Sequence, residues 1–161
     1  MFIQCLVLTA FSSFLFGWHV HEKAIMMILV PMIPLAFYGK TSCKHFFLLN
    51  TIGSYSIFPL LKDPAETPIK ILLLLIYTLY AFEALSSFHS NLKHSFKLLN
   101  FFEASYLFGL LFIQFYTSFA DTLFARFHDR LPFFYLLWTS VYCAIGVLVT
   151  WIRLNYQLLH F

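Results

Sequence analysis

The chain has 161 residues, of which 61% are hydrophobic, 21% aromatic and only 11% charged, with a mean hydropathy of +0.81. A soluble domain carries about 25% charged residues, and less than half of that cannot cover the surface of an 18.9 kDa protein. The composition excludes a secreted disulfide scaffold, a disordered tail and a nucleic-acid-binding module, and points to a polytopic membrane protein whose first partner is the lipid bilayer.

A bilayer core of about 30 Å takes roughly 20 helical residues to cross. A chain of this length therefore holds five or six crossings with short loops, and no separate soluble domain. Six apolar stretches can be marked off in order: Met1–Trp18, Ala24–Tyr38, Phe46–Leu61, Ile69–Phe88, Phe101–Ala120 and Leu131–Ile152. Outer-membrane strands alternate apolar and polar residues. Runs such as Ile71-Leu72-Leu73-Leu74-Leu75-Ile76 do not alternate, so the stretches are predicted to be helices. The predicted fold class is all-α: a polytopic transmembrane helical bundle of about six spans, one multi-pass region over 1–161.

The first stretch has no basic residue before it and no A-x-A-like cleavage site after it, so it reads as a span and not as a removable signal. The chain starts inside this span, as a native start or as the tail of a longer protein. The second is short and carries Pro31 and Pro34, which remove backbone donors and are expected to bend or break it. The third is also short, with Gly53, Ser54, Ser56 and Pro59; either could be re-entrant or strongly tilted. Lys62-Asp63-Pro64-Ala65-Glu66-Thr67-Pro68 reads as a tight connection between antiparallel helices. Cys5, Cys43 and Cys143 match no metal or redox spacing and read as small buried hydrophobes.

With six crossings the loops sort onto two faces. Segments 19–23, 62–70 and 121–130 share the first, and 39–45, 89–100 and 153–161 the second. Basic residues divide evenly, so the positive-inside rule does not set the orientation. The loop acids Glu22, Asp63, Glu66, Asp121 and Asp129 all fall on the first face, which marks that face for chemistry and leaves the second as the cytosolic one. Glu83 and Glu103 lie near span ends on the second face, where snorkelling or helix–helix hydrogen bonding accounts for them.

The densest polar group is Gly17-Trp18-His19-Val20-His21-Glu22-Lys23. If it is helical, His19 shares a face with Glu22 and Lys23 while His21 points away. If it is extended, His19 and His21 share a side. Neither arrangement gives the i, i+4 histidine pair of a helical zinc site, and no metal is assigned. A lysine and imidazoles at a membrane interface can hold the phosphate of a lipid carrier, the lysine as a point charge and the histidine as a donor to the leaving phosphate. Glu22 could orient Lys23 or a histidine and keep it charged. An ordinary interfacial belt, with Trp18 at headgroup depth, is the competing reading.

The stretch Phe14-Leu15-Phe16-Gly17-Trp18-His19-Val20-His21-Glu22-Lys23-Ala24-Ile25 resembles a signature of the endoplasmic-reticulum dolichyl-phosphate-glucose α-1,3-glucosyltransferases, and its Gly-Trp-His form is similar to the branch that adds the second glucose. Pro31, Pro34 and the Ala65-Glu66-Thr67-Pro68-Ile69-Lys70 turn also resemble that branch. The likeness is strongest over residues 11–35, weaker to 75 and compositional beyond. It implies the C-terminal portion of a GT-C glycosyltransferase, a multi-pass protein of the endoplasmic-reticulum membrane acting in protein N-glycosylation. The implied donor substrate is dolichyl phosphate glucose, the acceptor a glucosylated lipid-linked oligosaccharide, and no cofactor takes part. The reaction inverts the anomeric centre and needs a carboxylate base. The resemblance puts that base in a first lumenal loop upstream, so no catalytic residue is assigned in this chain. It places His19, His21 and Lys23 at the donor phosphate with Glu22 orienting them, and makes the first face lumenal. Two other classes stand beside it. One is a catalytically inactive truncated membrane isoform or interaction protein, and the other a small transporter or channel, which would need charges inside its spans.

Overall fold

The computed structural model describes residues 2–18, 21–60, 66–90, 99–123 and 134–159. These form six α-helices and two short 3-10 turns, with no strand among the described residues. In order they are α1 (Phe2–Phe16), α2 (Met26–Tyr38), α3 (Lys40–Ser56), α4 (Thr67–Ser90), α5 (Phe101–Leu123) and α6 (Phe134–Leu159). The 3-10 turns cover Glu22–Ile25 and Phe58–Leu60.

The bundle is built around α3, which touches α2, α4, α5 and α6. Its burial is nearly all-round: Phe47, Leu49, Ile52 and Tyr55 are enclosed, and so are Ser42, His45, Asn50 and Thr51. Of the two longest helices, α4 and α6, the one with the more apolar stretch, α4, is the less enclosed. Along α4, Leu72, Leu73, Ile76 and Tyr80 point outward, and only 11% of its most apolar stretch is buried. This distribution suits a hydrocarbon solvent. Outside, apolar side chains cost nothing in lipid; inside, small and polar residues let helices approach and bond. Among the described residues two helices, Thr67–His89 and Leu136–Leu159, are long and apolar enough to cross a membrane.

Buried hydroxyls bond back along their own helices, as Thr51 does to the Phe47 carbonyl at 3.0 Å and Thr150 to the Gly146 carbonyl at 2.8 Å. In an apolar medium this satisfies the O–H locally. Between helices, Tyr77 O–H on α4 donates to Asn50 Oδ1 on α3 at 3.2 Å. His89 Nε2–H, near the end of α4, donates to the Ala36 carbonyl near the end of α2 at 2.9 Å. Such contacts fix the directions of α2 to α6. The start of α2 lies at the end of α3, through Ile25 and Leu29 against Gly53. The end of α6 lies at the start of α3, through Gln157 Nε2–H donating to Ser42 Oγ at 3.2 Å. The five helices therefore run up and down in turn. α1 packs on α2 and α6 and ends part-way along α6, where Phe16 meets Trp151 edge-on at 6.1 Å.

Several local expectations are corrected. α2 is continuous through Pro31 and Pro34. Each proline removes one backbone donor, but neither is buried, while Ile28, Leu29, Met32, Leu35 and Ala36 hold the helix against its neighbours. The loop expected over 39–45 shrinks to Gly39, because Lys40–His45 already belong to α3, where Ser42, Cys43 and His45 are buried. Cys43 and Cys143 are buried as expected, but Cys5 is exposed on α1, since Val7 and Phe11 carry that helix's inward face. α4 starts at Thr67 with Pro68 in its first turn, where a missing N–H costs nothing. Residues 62–65 of the expected proline turn, together with Lys93, Lys97, Arg126, Asp129 and Arg130, lie outside the described residues.

α5 and α6 are joined reciprocally. Tyr106 and Tyr142 stack with centroids 4.5 Å apart. Tyr106 O–H donates to the Tyr142 carbonyl, and Tyr142 O–H to the Tyr106 carbonyl at 2.8 Å. Each hydroxyl lies where a glycine leaves room: a Cβ on Gly109 would fall 2.1 Å from the Tyr142 hydroxyl, and one on Gly146 would fall 2.6 Å from the Tyr106 hydroxyl. At the second-face end, Glu103 accepts from Arg153 on α6 at 2.5 Å and from the Asn100 N–H at 2.9 Å. The same carboxylate thus closes the N-terminus of α5, as in a capping box, and ties it to α6.

Two outcomes follow for the protein in detergent. Glu103 is 7% exposed whereas the Arg153 side chain is 41% exposed. Arg153→Met strands a buried carboxylate and should lower unfolding stability by about 3 kcal/mol. Glu103→Gln leaves a cation that can reach water and should cost about 1 kcal/mol. Thermal unfolding of the two variants gives the order. Gly146→Leu should likewise lower stability by about 1–3 kcal/mol through overpacking, while Leu73→Ala, on the outward face of α4, should change it by no more than about 0.5 kcal/mol.

Candidate functional site

The polar segment between α1 and α2 takes its shape from a change of backbone conformation at His21. His21 is extended, at φ −73° and ψ 144°, and the chain then enters the 3-10 turn Glu22–Ile25. Its Nδ1 accepts the Lys23 N–H at 3.3 Å and its carbonyl accepts the Ala24 N–H at 2.8 Å. The imidazole thus takes the place that a Ser, Asp or Asn usually fills at a helix start. The consequence is chemical. With Nδ1 used as an acceptor, the neutral ring carries its proton on Nε2, so a donor N–H is left on the far side of the ring.

The turn is held from below. Ile25 is enclosed, and a Cβ on Gly53 would stand 3.1 Å from Ile25 Cγ1 and 3.2 Å from Leu29 Cδ1. Gly53 therefore lets the end of α3 come close under the start of α2. His21 and Lys23 remain exposed above this contact, and Trp18 is 90% exposed beside them. The arrangement is a polar rim on an apolar anchor, open to anything that approaches along the membrane interface.

Neither of the two conformations weighed from spacing holds across the whole segment, since the change from extended to 3-10 falls at His21. His21 and Lys23 are brought together, through the bond between Nδ1 and the Lys23 amide. His19 lies outside the described residues, as does the Glu22 side chain. Among the described residues no group of three or more His, Cys, Asp or Glu converges as a metal site.

Sequence reasoning missed two features. Glu103 does hydrogen-bond between helices, one of the two roles expected of it, but its partner Arg153 is 50 residues away, and no local pattern names that partner. Lys70, read as part of a turn, places its ammonium over the Phe58 ring, 5.8 Å from the centroid. This puts a second cation at the end of the bundle that carries Lys23, because both α2 and α4 start beside the end of α3.

Comparison with known proteins decides the family. The ALG6, ALG8 glycosyltransferase family matches residues 1–154. The chain belongs to that family. Relatives include the Bos taurus protein named dolichyl pyrophosphate Glc1Man9GlcNAc2 alpha-1,3-glucosyltransferase, 41% identical over 158 residues, which covers 98% of this chain and 29% of the relative. The Mus musculus protein of the same name is 44% identical over 153 residues, covering 95% of the chain and 28% of the relative. The one from Arabidopsis thaliana is 37% identical over 150 residues, covering 87% and 29%. The chain thus spans under a third of the length of these relatives. The likeness also runs through nearly the whole chain, well beyond residue 75, where sequence reading found only shared composition. No solved structure matches it.

The cap gives its own test. His21→Val removes the acceptor at Nδ1 and should speed amide exchange at Lys23 and the turn that follows, whereas His21→Asn supplies a side-chain oxygen and should restore protection. Hydrogen exchange read by mass spectrometry on the peptide covering 21–30 separates the two.

Proposed function

We propose that this chain forms the C-terminal membrane portion of an α-1,3-glucosyltransferase that moves glucose from dolichyl phosphate glucose to a glucosylated lipid-linked oligosaccharide in the endoplasmic-reticulum membrane. The observation that carries the reading is the capped segment at His21. It leaves an imidazole Nε2–H and the Lys23 side chain exposed two residues apart on an apolar footing, and it lies in a chain that shares 41–44% of its residues with two relatives named as α-1,3-glucosyltransferases.

In this reading His19, His21 and Lys23 meet the donor phosphate, and Glu22 orients them. As the glycosidic C–O bond breaks, negative charge grows on the departing phosphate. A hydrogen bond from His21 Nε2–H and the Lys23 ammonium both strengthen as it does so, and this lowers the barrier. The acceptor hydroxyl loses its proton to a carboxylate outside this chain, and no cofactor enters. The six helices are six membrane spans, with residues 19–23 and the turn before α4 in the lumen and the Glu103–Arg153 end facing the cytosol. Every helix of the bundle is predominantly apolar or enclosed, which supports that placement.

Lys23→Ala in the complete transferase should lower kcat/KM for the donor on the order of 10-fold or more, as loss of a charge-assisted contact that strengthens in the transition state does, and leave the acceptor KM within about twofold. His21→Asn keeps the cap and loses the Nε2–H, so its defect should also be confined to donor use. Initial rates at limiting donor, in microsomes lacking the endogenous enzyme, supply the measurement. An unchanged rate at limiting donor overturns the phosphate assignment.

A further inference from the structure

α4 and α5 each lean on α3 and barely touch one another. The gap they leave is an apolar cleft of about 340 Å³, open along one side. Phe58 forms part of its floor, Ile71, Leu75 and Leu79 one wall, and Leu107 and Leu111 the other. From Ile71 to Leu79 it follows two turns of α4, about 12 Å at 1.5 Å per residue. Lys70 sits one residue from the near end of the wall, with its ammonium over the ring of Phe58. The cation and the apolar cleft therefore share a side chain.

From this juxtaposition we propose that the cleft is a retained-lipid site, which takes one acyl chain of a bilayer phospholipid whose phosphate rests at Lys70. Three features select that occupant. An empty apolar groove forfeits the dispersion contacts of its lining, and that lining is mostly aliphatic and aromatic, with Thr51, Tyr55, Thr78 and Gln114 as its polar members. The α4 wall is mostly bulky aliphatic, with Thr78 as its small residue, whereas close contact with another membrane helix favours a stripe of Gly, Ala or Ser. The length suits the upper part of an acyl chain lying along the helices, with the Lys70 ammonium at the mouth to meet a phosphate. A long polyisoprenoid would outrun the cleft several times over. The site is separate from the His21–Lys23 segment and does not depend on the transferase reading.

The test is photolabelling of the complete protein in nanodiscs with a phosphatidic acid that carries a diazirine midway along one acyl chain. A diacylglycerol with the same chain serves as the headgroup control. Peptide mapping should find Leu75, Leu107 and Leu111 labelled at least fivefold above Leu72 and Leu73, which lie on the outward face of the same stretch of α4. Lys70→Gln should reduce that enrichment severalfold for phosphatidic acid and leave diacylglycerol labelling unchanged. Leu107→Trp should fill the cleft and abolish the enrichment, and Leu72→Trp should not. Thermal unfolding of each variant shows that the bundle still folds. Even labelling around α4, or indifference to Lys70→Gln, overturns the proposal. So does a disulfide from Leu75→Cys to a cysteine placed elsewhere in the polypeptide, which would give the cleft a protein occupant. Displacement of the probe by equimolar dolichyl phosphate would instead assign the cleft to the substrate path, and overturns it too.

Discussion

The packing of four helices around α3 is the constraint on which the rest of the bundle depends. A helix with neighbours on every side has to find its polar partners on other parts of the protein, and among the described residues of α3 only His45 Nδ1 and Asn50 Nδ2 stay buried without one. Asn50 therefore meets Tyr77, Thr51 bonds back to Phe47, and Ser42 receives Gln157. The bonds to Tyr77 and Gln157, on other helices, fix the rotation of α3 about its axis. Once it is fixed, Gly53 faces the start of α2 and Ile52 faces Gly146 of α6.

The two ends of the bundle are closed by different means, and the difference bears on function. At the second-face end the polar groups are consumed in structure: Glu103 between Arg153 and the start of α5, and His89 on the Ala36 carbonyl. At the first-face end the anchoring is apolar, through Ile25, Leu29 and Gly53 below and Phe58 beneath Lys70. Polar side chains there lie on the outside of the anchor. A carboxylate with both oxygens bonded, as in Glu103, or an imidazole enclosed between helices, as in His89, is poorly placed to meet a substrate. One held on an apolar footing, with a donor N–H directed away from it, can do so at little cost in rearrangement.

Much of the fold could be read directly. The runs over Ile69–Phe88 and Leu131–Ile152 are long and uninterrupted, and hydrophobic length is a local property, so α4 and α6 were visible from composition. α2 and α3 were harder. Pro31 and Pro34 argue against a helix locally, but burial of Ile28, Met32 and Leu35 outweighs two missing donors. α3 is the helix least like a membrane span in sequence, since enclosure among other helices removes the need for an apolar surface. The candidate segment stood out because polar residues are scarce here, and the density around His21 is itself a local signal. The cap at His21 was not legible, because it requires the backbone to change conformation at that residue.

What the sequence by itself determined is the apolar character, the helical class and the family: a helical chain rich in apolar runs that carries a Gly-Trp-His…His-Glu-Lys segment. Composition, run length and a short motif are additive along the chain, so they survive without coordinates. What only the tertiary structure decided is which groups meet across distance: Glu103 with Arg153, Tyr106 with Gly146, Lys70 over Phe58, and the cleft between α4 and α5. The physical reason is that a helix presents a different face every 100°. Which face turns inward is settled by packing among helices far apart in sequence, and no single helix carries that information.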